Sequence, residues 1–340
     1  MGLLTRLLLT SMAGLVALGG CTTDPEPVQN VLPDLEAVQA PPESGPVVSQ
    51  PWDAVRIGTY DPADFARLFT DIGGYTVIDR DGTKLTLRKD GVGPRIVLDK
   101  MPASAPMARA ADAKSWEPGC YWSLMMRAKN VPSIVADAEA LGWLPKTPVA
   151  YLEFGPSKLN VVVLTHQKTG MQVQLYERLT TPLPDGYPDF DRIGIPFNIM
   201  QMASDRDATF AMFTQQLNFA TFYHGEPYLS PEPELMPLGI PVALTTTVPY
   251  RASIVSPLDG METGRFEMIE IMGQEAGLKG RDFTKSCTND AVGLTEVIYD
   301  VPHTRPIFDR LESAGATVIP DKGLVLVAPD GARIRFDHAD

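Results

Sequence analysis

Few side chains in this sequence stand at a spacing that a familiar reaction chemistry requires. Of the 4 histidines, His166 falls at a hairpin, His224 near an insertion, His303 before a helix and His338 at the tail. That is the placing of surface or packing residues rather than of metal ligands. There is no His-Glu-x-x-His zinc helix, no phosphate-cradling Gly-Lys-Ser/Thr loop and no nucleophile elbow around serine, so hydrolase and nucleotide mechanisms have no footing. Gly91-Val92-Gly93 is a turn. What remains is 3 cysteines, Cys21, Cys120 and Cys287, and 14 methionines. Most methionines fill cores, but the pliable thioether also suits pockets for aromatic or greasy ligands.

Cys21 has the sharpest context. Arg6 leads into an apolar run, Leu7 to Leu18, too short to span a bilayer as a stable helix. The run ends in Leu18-Gly19-Gly20-Cys21, which resembles a bacterial lipobox. Residues 1–20 are then a signal peptide and Cys21 is the lipidated first residue, held by several acyl chains. Thr22 stands where an inner-membrane retention signal carries Asp, so the pattern implies an outer-membrane lipoprotein facing the periplasm of a Gram-negative host. Residues 21–51, rich in Pro and acidic residues, read as a disordered tether. In that compartment Cys120 and Cys287 are equally compatible with a disulfide and with two buried thiols.

The formal net charge is −13, and loss of Arg6 with the leader makes it one unit more negative. Nucleic acid is therefore disfavoured as a partner, and an anionic lipid surface as well. The expected partners are a small, neutral or weakly charged molecule and, through the lipid on Cys21, a membrane.

Internal repetition decides the architecture. A βαβββ unit recurs four times. The first runs from Val55–Thr59 through a helix from Pro62 to about Ile72 into three strands ending at Leu98. The second has Tyr121–Ala128, a helix over Pro132–Leu141, and strands at Ala150–Phe154, Val161–Leu164 and Met171–Tyr176. The third starts at Phe197–Met202, has a helix near Asp207–Gln216 and ends at Phe266–Met272, interrupted by a Pro-rich insertion at about 225–249. The fourth starts at Leu294–Val301, has a helix over Arg305–Ala314 and closes on Ala332–Phe336 after the Pro329-Asp330-Gly331 turn. Alternating strands with one helix at a constant place are the pattern of half-buried sheets covered by helices on one face.

Over residues 52–338 this organisation resembles the vicinal oxygen chelate superfamily of glyoxalase-like proteins, including the closing phrases at 168–176 and 328–336. The resemblance implies an α+β fold with four βαβββ modules paired into two cupped mixed-sheet half-barrel domains, helices on the outside. The domains are expected at 52–180 and 190–340. In metalloenzyme members, His or Gln near the start of a module's first strand and Glu in its last strand hold a metal on the concave face.

In the first pair of modules the matching positions are Ala54, Val97, Ser123 and Gln174, none able to hold a divalent ion strongly. In the second pair they are Asn198, Glu270, Glu296 and Arg335, where a guanidinium replaces a carboxylate and never becomes a ligand. The Glu296 assignment aligns His303 with the start of the helix; aligning Asp300 instead selects Gly293. Three readings of this cluster stay open: a structural salt bridge, a ligand-binding carboxylate and guanidinium, and a weak divalent-metal site using Asn198, Glu270 and Glu296. By strand parity Asn198, Met200 and Met202 line one cup, and Ser123, Met125 and Arg127 the other.

The resemblance implies an envelope-anchored protein acting on a small, partly apolar molecule, aromatic ones included. As a lyase, isomerase or dioxygenase, it would use Glu270 as base or metal ligand and Glu296 with Arg335 as further catalytic residues, Arg335 stabilising an anionic oxygen. The alternative is a non-catalytic binding or sequestering lipoprotein. A third reading is a scaffold whose cups are filled by their own side chains.

Overall fold

In the computed structural model the four units are laid down as two separate mixed sheets. The structure describes residues 45–339 except 110–112, 115, 155, 237–239, 274–286 and 321–322; the leader, Cys21 and most of the tether lie outside the described residues. Module 1 comprises β1 (Ala54–Thr59), α1 (Pro62–Arg67, continued by a π turn over Leu68–Ile72), β2 (Thr76–Asp81), β3 (Lys84–Lys89) and β4 (Val92–Lys100). Module 2 comprises β5 (Tyr121–Ala128), α2 (Val131–Glu139), β6 (Trp143–Pro145), β7 (Ala150–Phe154), β8 (Ser157–His166) and β9 (Gln172–Arg178). Module 3 is β10 (Ile193–Met202), α3 (Arg206–Ala211, with a π turn over Met212–Gln216), β11 (Ala220–His224), β12 (Tyr250–Ser256) and β13 (Arg265–Ile271). Module 4 is β14 (Gly293–Val301), α4 (Arg305–Ser313), β15 (Val318–Pro320), β16 (Leu324–Val327) and β17 (Arg333–His338).

The helices start where local chemistry satisfies free backbone N–H groups. The Asp61 carboxylate accepts from Ala63 and Asp64 N–H at the head of α1, with Pro62 at its first position. Asp205 accepts from Ala208 N–H in α3. The central strands β5 and β10 are buried along their whole length, which requires cover on both faces. Pro196 sits inside β10 without a donor, and the pairing with β5 shifts register on both sides of it.

The sheet pairing corrects the expected domains. The eight-stranded sheet has the order β15-β16-β17-β14-β1-β4-β3-β2, and the nine-stranded sheet β11-β12-β13-β10-β5-β9-β8-β6, with β7 on β8. Module 1 therefore pairs with module 4 and module 2 with module 3, through the antiparallel pairs β1/β14 and β5/β10. Modules adjacent in sequence do share a core, but through their helices: Phe65 of α1 meets Trp143 and His166 of module 2, each at 5.0 Å between ring centroids. That shared core draws 52–180 together without making it a sheet.

The chain crosses between sheets twice, after β4 and before β14, and the two crossings run side by side. Ala108 N–H donates to Val292 O and Val292 N–H to Pro106 O, at 2.8 and 2.7 Å. Cys120 and Cys287, both buried, form a disulfide across these crossings with Cα atoms 5.1 Å apart. The tether boundary also moves. Val47 N–H donates to Leu217 O at 2.9 Å and Val48 is buried in the main core, so residues 45–51 belong to the folded part. Two adjacent valines with a core to meet outweigh the Pro-rich composition around them.

Candidate functional site

Each sheet turns one face to the helices and the main core and the other to a cup. Pairing of modules 1 and 4 brings Ala54, Val97, Glu296 and Arg335 into the first cup. Ala54 lies opposite Arg95 and Glu296 opposite Arg333, so Ala54 and Glu296 are equivalent positions, as are Val97 and Arg335. Glu296 is fully buried. It accepts from Arg333 Nε at 2.9 Å and from Arg335 Nε and Nη2 at 2.9 and 3.2 Å, and Arg56 Nη1 stands 3.3 Å away. Asp99 and Asp337 flank Arg56 and Arg335 in turn. Burial alone would raise the Glu296 carboxyl, but the Arg335 hydrogen bond, the Arg56 charge and Arg333 hold it below its ordinary range. Ala54, Val97 and Ile298 pack beside this cluster as a small apolar patch. Both oxygens of Glu296 are committed to guanidiniums.

The second cup collects Ser123, Met125, Gln174, Asn198, Met200 and Met202, drawn from both expected domains. Gln174 Nε2 donates to Ser123 Oγ at 2.7 Å and lies 3.5 Å from Met200 Sδ, while Tyr176 OH donates to Gln174 Oε1 at 2.9 Å. Met125, Met200 and Met202 form an apolar floor with Trp122, Phe197, Ile269 and Ile271. From the 225–249 insertion, Met236 and Ile240 are buried against the same floor.

Glu270 is not in this cup. It faces the helices, where it accepts from Arg206 N–H at 2.8 Å and from Arg251 Nε and Nη2 at 3.1 and 2.8 Å, anchoring the start of α3. The residue equivalent to Gln174 is Glu267, because Ser123 pairs with Gln172 and Asn198 with Arg265. The stretch Arg265–Ile271 carries acidic residues on both faces, so parity alone could not choose between Glu267 and Glu270. The parallel register with β10 decides it.

Glu267 has one hydrogen-bond partner among the described contacts, Asn198 Nδ2 at 3.0 Å. Burial pushes its carboxyl up to about 7, against a smaller lowering by Asn198. Asn198 Oδ1 and Gln172 Oε1 are buried and accept no hydrogen bond from the described residues. The second cup thus holds a carboxyl poised near neutrality among amides, a hydroxyl and thioethers.

Neither cup suits a tightly held divalent ion. The set Asn198, Glu270 and Glu296 is not assembled: Glu296 lies in the other sheet and Glu270 on the helix face. Among the described residues no three His, Cys, Asp or Glu side chains converge. Ser123, Gln174, Asn198 and Glu267 offer a single carboxylate, and the Gln174 amide oxygen already accepts from Tyr176 OH.

No family model matches the sequence, and no curated protein does. Solved structures match its shape. Glyoxalase I from Zea mays superposes with a TM-score of 0.58 at 11% identity, covering 85% of this chain and 92% of that one. The fold is that of glyoxalase I. A glyoxalase/bleomycin resistance protein/dioxygenase from Alicyclobacillus acidocaldarius matches over 39% of this chain and 94% of its own, at 10% identity and a TM-score of 0.28. At the positions that the sequence resemblance singles out, the first cup carries an ion cluster around Glu296 and the second carries Ser123, Gln174, Asn198 and, in place of Glu270, Glu267.

Proposed function

We propose that the second cup binds a small, partly apolar carbonyl compound without a metal, and that Glu267 is its acid–base group. The protein would be a glyoxalase-like lyase or isomerase held at the cell envelope by a lipid on Cys21. The observation carrying this reading is the Glu267 carboxyl with an Asn198 amide partner in a methionine-lined cup, where burial pushes it up to about 7 and lets it take and return a proton at neutral pH. Asn198 holds one of its oxygens. Buried amides of Gln172 and Asn198 supply hydrogen-bonding groups, and the methionine floor accepts the apolar body. A non-catalytic binder is the second reading, favoured by the cover that Met236 and Ile240 place over that floor.

The test is hydrogen–deuterium exchange at the carbon beside the carbonyl, followed by NMR with a panel of aromatic and aliphatic ketones and aldehydes. Exchange by the full chain that disappears in Glu267→Gln, with folding intact, supports the enzyme. Saturable binding with no exchange leaves the binder. Neither binding nor exchange across the panel overturns both.

A further inference from the structure

One end of the second cup carries charge that the acid–base reading does not use. Arg127 at the end of β5, Arg178 at the end of β9 and Arg265 at the start of β13 converge there. Among the described residues the single carboxylate between them is Glu262, on the 257–264 loop between β12 and β13. It stands 4.0 Å from Arg127, 3.8 Å from Arg178 and 3.4 Å from Arg265. Settled guanidinium–carboxylate pairs close to about 2.7–2.9 Å. The Glu296 cluster reaches that distance; Glu262 does not.

Arg127 is 6% exposed and its Nε has no hydrogen-bond partner among the described residues, although its guanidinium lies 3.8 Å from the centre of the Phe197 ring. Burial, then the nearby Arg178 charge, lowers its pKa to about 10. A buried cation normally closes on a partner because an unsatisfied one is costly. This end is also continuous with the acid–base end. Arg265 and Glu267 are two apart on one strand face, about 7 Å along the strand, and Tyr176 feels both Glu267 and Arg127. Tyr187, whose OH donates to Ile195 O at 3.1 Å, borders the same group.

We propose that Arg127, Arg178 and Arg265 form an anion subsite for the carboxylate of the ligand, with Glu262 acting as an internal stand-in that the ligand displaces. This rests on the second cup being the ligand site and narrows its ligand to a small apolar acid. The apolar body would lie over Phe197 and Met125 toward Glu267. A ligand carboxylate brings two acceptor oxygens free to move to the guanidiniums, whereas Glu262 is tied to its loop.

The experiment measures binding of phenylacetate, phenylacetamide and inorganic sulfate to the full chain in detergent, by calorimetry at constant ionic strength. Phenylacetate should bind about tenfold or more tighter than phenylacetamide, the worth of one charge-assisted hydrogen bond. Arg178→Gln, at a side chain one-fifth exposed, should remove that preference. Glu262→Gln should have the opposite sign and strengthen phenylacetate and sulfate binding several-fold. A merely structural cluster would give no such opposed pair. Equal binding of acid and amide, or affinities unchanged in both variants, overturns the subsite while leaving the cup. Sulfate binding that follows the two variants without either aromatic probe supports the subsite and overturns the cup reading. No binding by any probe overturns the subsite.

Discussion

The two cups are built from the same repeat in the same way and have opposite interiors. In the first, both oxygens of one buried carboxylate accept hydrogen bonds from Arg333 and Arg335, with Arg56 as a third cation at 3.3 Å, and what remains of the concave face is a small apolar patch. In the second, a carboxyl keeps one amide partner in an apolar, methionine-lined site, and three arginines stand off from a single glutamate. The difference is one of compensation. A buried charge whose partners close on it becomes a structural element, while one left under-compensated keeps a shifted pKa and a capacity for a ligand.

The largest effect should come from breaking compensation in the first cup. Glu296→Ala leaves Arg56, Arg333 and Arg335 facing one another and should cost about 3–5 kcal/mol in denaturant unfolding. Replacing Glu296, Arg333 and Arg335 together with apolar residues of similar volume should cost far less. If the single change is silent, the first cup is not held by its ions.

In the second cup the expected effect is a pH dependence. The Glu267 carboxyl is raised from 4.5 to about 7. Its contribution to stability is full below 4.5 and is lost as the pH rises through 7, because the folded state must then ionise it at a cost. Glu267→Gln should flatten this loss and gain up to roughly 3 kcal/mol at pH 8 relative to pH 4. Denaturant midpoints across that range check it, and parallel pH profiles for the two proteins would show that Glu267 ionises freely.

The smallest effect belongs to a carboxylate outside both cups. Glu270→Gln weakens the Arg251 pair and the anchor of α3 and should cost about 1–3 kcal/mol. It should leave ligand affinity and exchange activity in the second cup unchanged. Loss of activity without loss of stability would place Glu270, not Glu267, in the chemistry.

Much was legible in the sequence because it is local. The helices starting at Pro62, Pro132, about Asp207 and Arg305, each within a residue of its place in the structure, the strands between them and the α+β repeat follow from alternation, Pro and Asp at helix starts, and glycine at turns. Period two puts Ser123, Asn198, Met200 and Met202 on concave faces, since apolar neighbours of alternate parity fix their sides, whereas Gln174 follows from the family resemblance. Aligning the helix starts points Glu296 to a concave face, but not to its partners Arg56, Arg333 and Arg335. Glu267 was missed because its strand carries glutamates on both faces.

What the sequence by itself determined was therefore the repeat, its elements and the face of most strands, all set by interactions within a few residues along the chain. Only the tertiary structure decided which modules share a sheet, because β1 meets β14 and β5 meets β10 through backbone groups that any strand presents alike. That choice put Glu296 with Arg56 rather than with Asn198, brought Cys120 to Cys287 and selected Glu267. Register and partner are properties of the assembled sheet, and the chemistry of both cups follows from them.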